Sequence, residues 1–167
     1  MASLRPDQEL AFHSTVRIRD RNWHIPMVDF SIDKGMSQKI FDRMGCYLPK
    51  SLMLNMALYS SGRSYHAYST TLLGRKDWQA FMGRLLLINP RNSENIIDTR
   101  WIGHRLIGGY SSLRWSNNSG QYLNYHHGFR FINVLSRQTI SATSEEAGNL
   151  PSANSRFGRL LYFDTRR

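Results

Sequence analysis

The spacing of apolar side chains predicts alternating strands and helices along the first two thirds of the chain. Continuous apolar runs typical of buried strands cover residues 25–32, 52–59 and 64–71. Apolar positions at helical spacing cover residues 36–44, where Gly45 ends the helix, and residues 76–88. A strand or turn carrying Asp98 follows. This order of elements is that of a split βαβ unit.

The flanking segments show weaker patterns. Residues 3–13 predict a short helix, whereas Thr15 to Arg19 alternates as an edge strand with one charged face does. Thr99 to Gly109 fits a short helix that ends at its two glycines, and Tyr125 to Leu135 predicts another strand. The Ser- and Asn-rich residues 141–158 predict an exposed, flexible loop. A last strand at residues 159–164 is also expected.

Composition indicates one soluble domain. With 167 residues and 41% apolar content, the chain can enclose one hydrophobic core, so residues 1–167 are expected to form a single domain. No apolar run is long enough for a transmembrane helix, and the first twenty residues lack a signal-peptide core. The single cysteine, Cys46, excludes an internal disulfide and fits a reducing compartment. We expect a cytoplasmic protein without a membrane partner.

The charge favours nucleic acid as a partner. The formal net charge is +10, and 18 of the 22 basic residues are arginine, whose planar fork binds phosphate oxygens in pairs. Arginine alternates with tryptophan or tyrosine at 100–101, 114–115 and 125–130, a mixture that single-strand binders use. A generically basic surface is the simpler alternative.

Two interpretations fit the stretch from Tyr59 to Ser69. The segment Ser61-Gly62-Arg63-Ser64-Tyr65-His66 places a glycine beside an arginine and a histidine three residues further on, which suits binding of a triphosphate. The alternative is a hairpin turn at Ser60 to Gly62, with His66 and Tyr68 on one face of the second strand.

Two carboxylates follow apolar, strand-like runs. Asp29 ends the run that begins at Pro26, and Asp98 ends the run Ile96-Ile97. Leu113-Arg114-Trp115-Ser116-Asn117 follows downstream. Acids at strand ends are the usual ligands of Mg²⁺ or Mn²⁺, which prefer hard oxygen donors.

This succession of motifs, from about His24 to Asn118, resembles the archaeo-eukaryotic primase and primase-polymerase superfamily. The resemblance implies an α/β (α+β) primase-like core whose split βαβ sheet carries helices on one face. It implies that Asp29, Asp98 and His66 are catalytic, with Asp29 and Asp98 binding Mg²⁺ or Mn²⁺. It also implies that Ser61, Arg63 and His66 bind a nucleoside triphosphate.

The first acid motif departs from the family. The family usually has two acids separated by one residue, whereas this chain has Ser31 two residues after Asp29. Asp33 lies on the same strand face but ~13 Å further along a straight strand. It is a candidate metal ligand, and the alternative is that it caps the helix expected to begin near Lys34.

Other site residues have simpler alternatives. His66 could be a half-buried structural histidine, Arg114 a solvated strand residue, and Asn117 a turn residue. Trp115 and Arg100 complete the expected nucleic-acid-binding set.

The histidine pair His126-His127 only weakly suggests a rolling-circle nuclease, because adjacent strand residues point to opposite faces. The expected function is a primase-polymerase-like nucleotidyltransferase that binds nucleoside triphosphate and single-stranded or primed nucleic acid, with a helicase or ATPase as a possible partner. The alternative is a catalytically degenerate module that binds nucleic acid or nucleotide without polymerising.

Overall fold

A four-stranded antiparallel sheet positions the candidate site. The computed structural model describes Arg5, residues 8–33 and 35–116, and the backbone of residues 130–132. The strands are β1 (Ala11–His13), β2 (Thr15–Ile18), β3 (Arg21–His24), β4 (Met27–Asp29), β5 (Met56–Ser60), β6 (Tyr65–Ser69), β7 (Ser112–Arg114) and β8 (Arg130–Ile132). The helices are α1 (Gln38–Tyr47), α2 (Lys50–Leu54), α3 (Arg75–Ile88) and α4 (Thr99–Gly108).

The strand order confirms the split βαβ unit. The main sheet has the order β4-β6-β5-β8, so the hairpin of β5 and β6 lies between β4 and β8. The fourth strand of the unit is reduced to one antiparallel bridge, Phe30 to Ile97, on the outer side of β4. Two small sheets flank this one, β1 with β7 and β2 with β3.

Strand alternation gives the main sheet one apolar face and one face that carries Asp29 and His66. Val28, Ala67 and Leu58 lie opposite one another across β4, β6 and β5, and all three are buried. Ala67 and Leu58 line a small apolar cavity with Phe41 and Met44 of α1, so this face packs against helices. The neighbouring residues in each strand must then point to the opposite face.

That opposite face carries a cluster of four aromatic rings, Phe12, Tyr59, Tyr68 and Trp115. The ring centroids of Phe12 and Trp115 are 4.5 Å apart, and those of Tyr59 and Tyr68 are 5.7 Å apart, both in edge-to-face geometry. Since Phe12 is in β1 and Trp115 follows β7, the cluster fixes this small sheet against the main sheet.

The longest helix matches its sequence pattern closely. Trp78, Phe81, Met82 and Leu85 of α3 are buried, as the helical spacing predicts, and Ile88 is buried with them. Leu86, which the same spacing placed on the apolar face, is exposed. The short helix expected after residue 98 is also confirmed as α4. Its C-cap Gly109 adopts a φ of 75°, a left-handed conformation that glycine reaches without steric cost.

Three local predictions were wrong. Residues 11–13 form strand β1 rather than the end of a helix, because they pair with β7. Gly45 does not end α1, which continues to Tyr47. Residues 50–54 form helix α2, so the strand expected from Leu52 begins only at Met56.

Some expectations concern residues that the structure does not describe. Of the strand expected at Tyr125 to Leu135, β8 is described and pairs with β5. The expected loop at 141–158 and the strand at 159–164 lie outside the described residues. Within the described part of the chain, no helix is long and apolar enough to cross a membrane.

Candidate active site

Antiparallel pairing of β4 with β6 places Asp29 directly opposite His66. Residues that face each other across an antiparallel pair project from the same side of the sheet. The His66 Nε2 atom lies 3.5 Å from Asp29 Oδ1, although 37 residues separate them in sequence. The His66 side chain is 7% exposed and that of Asp29 is 24% exposed, so the pair lies at the base of a cleft.

Asp98 reaches the same place through the bridge between Phe30 and Ile97. The Asp98 amide donates to the Asp29 carbonyl oxygen at 3.0 Å, which brings the two acidic residues together. One carboxylate oxygen of Asp98 accepts a hydrogen bond from the Trp101 amide at 2.9 Å. Asp98 is therefore the N-cap of α4, a role that the sequence reasoning did not assign to it.

The side chain of Asn89 fixes the segment before Asp98. Its Oδ1 accepts hydrogen bonds from the amides of Ile96 and Ile97, and its Nδ2 donates to the Ile97 carbonyl. Asn89 is the C-cap of α3, so the position of Asp98 depends on the end of that helix.

The turn between β5 and β6 forms one wall of the cleft. The Ser61 amide donates to the Ser64 carbonyl at 2.9 Å, and Gly62 has a φ of 97° that favours glycine. Ser64 Oγ donates to the Phe30 carbonyl at 2.6 Å, which fixes the turn to the end of β4. The hairpin interpretation is confirmed, and the same turn presents exposed Arg63 at the cleft.

Arg114 connects the turn to β7. Its guanidinium donates to the Ser61 carbonyl at 3.0 Å and to the Ser116 carbonyl. Because these bonds hold the guanidinium at the cleft, Arg114 is not the solvated strand arginine that was the alternative.

A cleft of about 460 Å³ joins these elements. The predicted site residues along its lining are Asp29, Asp33, Ser61, Arg63, His66, Asp98 and Arg114. Sequence reasoning missed Ser64, Trp101 and Ser112, which also line it. The position of Ser64 within the Ser61 to His66 segment could have indicated its place in the cleft. Trp101 and Ser112 gave no such signal in the sequence, because they come together in the tertiary structure, where Trp101 Nε1 donates to the Ser112 carbonyl.

The surroundings of Asp29 disfavour its charged form. Burial, together with the nearby Asp98 carboxylate, raises the pKa of Asp29 to about 7. The guanidinium groups of Arg114, Arg105 and Arg63 partly oppose this shift. A divalent cation would relieve the same repulsion, because it neutralises two adjacent carboxylates.

His66 is neutral at physiological pH. Burial and the positive charge of Arg114 lower its pKa to about 4. The contact between His66 and Asp29 is therefore not an ion pair at pH 7, despite the 3.5 Å separation. A neutral imidazole can accept a hydrogen bond at one nitrogen and donate at the other.

The donor atoms fit a cation that brings further ligands with it. The described residues contain no group of three or more His, Cys, Asp or Glu arranged to hold a metal ion. Mg²⁺ commonly uses one or two carboxylates and completes its shell with substrate phosphates and water. Asp29 and Asp98 provide such a pair of carboxylates.

Asp33 does not cap α1, because that helix begins at Gln38 after Ser37, and the capping interpretation was wrong. Its exposed carboxylate lines the cleft but forms no common donor group with Asp29 and Asp98. A metal-ligating role for Asp33 stays a prediction.

The expected nucleic-acid-binding residues do not form one surface. Arg114 lines the cleft, whereas Trp115 packs in the aromatic cluster and exposed Arg100 lies in the first turn of α4, outside the cleft lining. Asn117 and the pair His126-His127 lie outside the described residues. Nucleic-acid contacts at these positions stay predictions.

The capping bond and the charge of Asp98 can be separated by two substitutions. Asparagine caps a helix as well as aspartate does, so Asp98→Asn should fold normally, whereas Asp98→Ala should be about 1 kcal/mol less stable than Asp98→Asn. Urea unfolding of both variants measures this difference. Equal stability of the two variants would contradict the capping role.

The two shifted pKa values predict opposite pH dependence of stability. Asp29, with its raised folded pKa, contributes stability that is present below pH 4 and lost as the pH rises through about 7. His66, with its lowered folded pKa, contributes stability that is present above pH 6.5 and lost as the pH falls toward 4. In wild type, the two slopes oppose each other between pH 4 and 6.5.

Single substitutions should therefore reveal each slope. Relative to wild type, Asp29→Asn should gain roughly 3–4 kcal/mol of stability between pH 4 and pH 8, and His66→Gln should lose roughly 3 kcal/mol between pH 4 and pH 6.5. Urea unfolding across this range without divalent ions measures both changes. A pH-independent difference from wild type in either variant would contradict the corresponding pKa shift.

Comparison with models of protein families shows which family the chain belongs to. A family model described as AEP-like, archaeo-eukaryotic primase 1D-like, matches residues 1–127, about three quarters of the chain. No curated protein and no solved structure matches the chain at a significant level. The match includes all the motifs from Asp29 to Arg114 that meet at the cleft. The chain therefore belongs to the archaeo-eukaryotic primase superfamily, as a 1D-like member.

Proposed function

We propose that the cleft binds a nucleoside triphosphate with a divalent cation and that the protein transfers nucleotides to a nucleic-acid primer. One observation carries this proposal. Three acids, a buried neutral histidine and two arginines, separated by up to 85 residues in sequence, line a single cleft of about 460 Å³. Such a mixture of carboxylates and guanidinium groups suits a metal-bound triphosphate.

The basic wall of the cleft supports the nucleotide part of the proposal. Exposed Arg63 can offer a planar fork to phosphate oxygens, and Arg114 provides a second positive charge fixed by backbone contacts. Ser61 is buried in the turn between them. His66 would contribute a neutral hydrogen-bonding group at the base of the cleft, and it need not change protonation to do so.

The acidic wall supports binding of Mg²⁺ or Mn²⁺ by Asp29 and Asp98. When bound, the cation would stabilise negative charge on the phosphate oxygens of the reacting nucleotide. Asp29 must be ionised to act as a ligand, so cation binding should strengthen as the pH rises through about 7.

Nucleic acid is the proposed second substrate. The net charge of +10 would attract a phosphate backbone, and the family as a whole points to nucleic acid and nucleotide. A helicase or ATPase that exposes single strands is a proposed protein partner. Residues at the cleft would then position the primer end relative to the bound nucleotide.

One observation favours a second candidate, a module that binds nucleotide or nucleic acid without polymerising. The usual second acid is replaced by Ser31, and the described residues contain no group of three His, Cys, Asp or Glu side chains arranged to hold a metal ion. Two cations could then not be bound by protein ligands alone. This module would still bind a nucleotide that carries its own metal ion.

Thermal shift tests the nucleotide site. With Mn²⁺ and a nucleoside triphosphate at about 100 times Kd, the wild-type melting temperature should rise by roughly 5–10 °C. Arg63→Ala should melt like wild type without ligand, since Arg63 is exposed, but should lose most of the nucleotide-induced rise. The control is Arg91→Ala, which removes an exposed arginine outside the cleft lining and should keep the full rise.

The metal ion and the polymerase activity need separate readouts. Asp29→Asn should abolish the additional rise that Mn²⁺ gives over nucleotide alone. If triphosphate does not shift even wild type, the nucleotide site is refuted. If nucleotide binds but labelled primer is not extended with Mn²⁺ or Mg²⁺, the non-polymerising module is the correct function.

A further inference from the structure

The hairpin formed by β2 and β3 is a strongly basic element outside the cleft. Its strands form a two-stranded sheet of their own, with paired residues from Thr15 opposite His24 to Ile18 opposite Arg21. All six residues from Arg17 to Asn22 are exposed, including Ile18. The tip is thus open to solvent on all six residues.

The tip has a tight turn in an unusual backbone conformation. Arg19 and Asp20 have φ angles of 46° and 61°, the left-handed values that two-residue hairpin turns require. Asparagine and glycine are favoured at such positions, and arginine is uncommon there. The left-handed backbone at Arg19 would therefore favour a different residue if folding were the only requirement.

Positive charge dominates this tip. Arg17, Arg19 and Arg21 contribute three guanidinium groups against the single carboxylate of Asp20. Arg17 contacts Asp20 at 2.9 Å, but both side chains are more than 70% exposed, and such surface pairs contribute little. A phosphate can therefore compete with Asp20 for Arg17 at small cost.

We propose that the β2–β3 hairpin is a basic arm that binds the phosphate backbone of a nucleic-acid duplex. A two-stranded ribbon has dimensions that a duplex groove admits, and arginine binds phosphate oxygens in pairs. Arg17 projects from one face of the ribbon, and Arg21 projects from the other face beside Ile18 and Trp23, so the arm presents guanidinium groups on both faces.

The arm is connected directly to the cleft. Only Ile25 and Pro26 separate β3 from β4, which ends at Asp29. Eight residue steps separate Arg21 from Asp29, so the two lie at most about 28 Å apart. A duplex of about eight base pairs spans that distance. This part of the inference rests on the proposed function, because it assumes that a primer end lies in the cleft.

Binding of labelled nucleic acid to the full chain tests the arm without nucleotide or metal. The probes are a duplex of about 16 base pairs, twice the estimated reach, and a single strand of the same length. Fluorescence anisotropy over a range of salt concentrations gives the affinity and its salt dependence. The arm variant is Arg17→Ala/Arg19→Ala/Arg21→Ala.

The matched control is Lys39→Ala/Lys50→Ala/Lys76→Ala, which removes the same charge from exposed positions in α1, α2 and α3. The arm variant should lose at least about tenfold in duplex affinity near physiological salt, and its log–log salt slope should shrink by about 2–3. The control should lose less than about threefold, because only long-range attraction changes.

A single substitution distinguishes a loss of duplex binding from a folding defect. Arg19→Gly places the residue that best tolerates a φ of 46° at the tip, so its melting temperature should equal or exceed that of wild type. Duplex affinity should nevertheless fall by about threefold or more, with a slope reduced by about 1. Unchanged affinity in Arg19→Gly and in the triple arm variant would overturn the proposal.

The remaining outcomes of this experiment also decide whether the arm binds a duplex. Equal losses in the arm and control variants would mean that only net charge matters, and the arm would be refuted. A loss confined to the single strand would refute duplex binding. No binding of either probe by wild type would also refute the arm. Failure of nucleotide to shift the melting temperature, with arm-dependent duplex binding intact, would refute only the cleft function.

Discussion

The register between β4 and β6 is the constraint on which the cleft depends. It places Asp29 opposite His66 on the other face of the sheet from the one that packs against α1. Because side chains alternate along a strand, a slip of β4 by one residue would turn Asp29 into the apolar core and bring Val28 to the cleft. A slip of β6 would do the same to His66 and Ala67. The complete burial of Val28 and Ala67 makes such a shift costly, so packing on one face determines the chemistry on the other.

The electrostatics of the cleft follow from the same arrangement. Burial and the proximity of Asp98 raise the pKa of Asp29, while burial lowers the pKa of His66. Arginines around the rim oppose part of the repulsion between the acids. The protein alone thus holds two carboxylates where their joint ionisation is unfavourable, and a cation with a polyphosphate would complement both the acidic and the basic wall.

Local and long-range interactions explain which sequence predictions failed. The helix expected near residue 11 is a strand because Ala11 pairs with Arg114, more than a hundred residues away. Asp33 was expected to cap a helix that begins near Lys34, but α1 begins later, at Gln38. Asp98, which was not expected to cap a helix, is the N-cap of α4. The error at residues 11–13 arose because a local pattern competed with a strand partner that is distant in sequence.

The sequence by itself determined the order of strands and helices in the split βαβ unit, most of the apolar face of α3, the hairpin turn at Gly62 and the motif succession that identifies the family. These depend on hydrophobic periodicity and on backbone preferences, which are local properties. Only the tertiary structure decided that Arg114 is fixed to the Ser61 carbonyl and that Asp98 both caps a helix and acts on Asp29. Such features require distances between residues far apart in sequence, and periodicity carries no information about those distances.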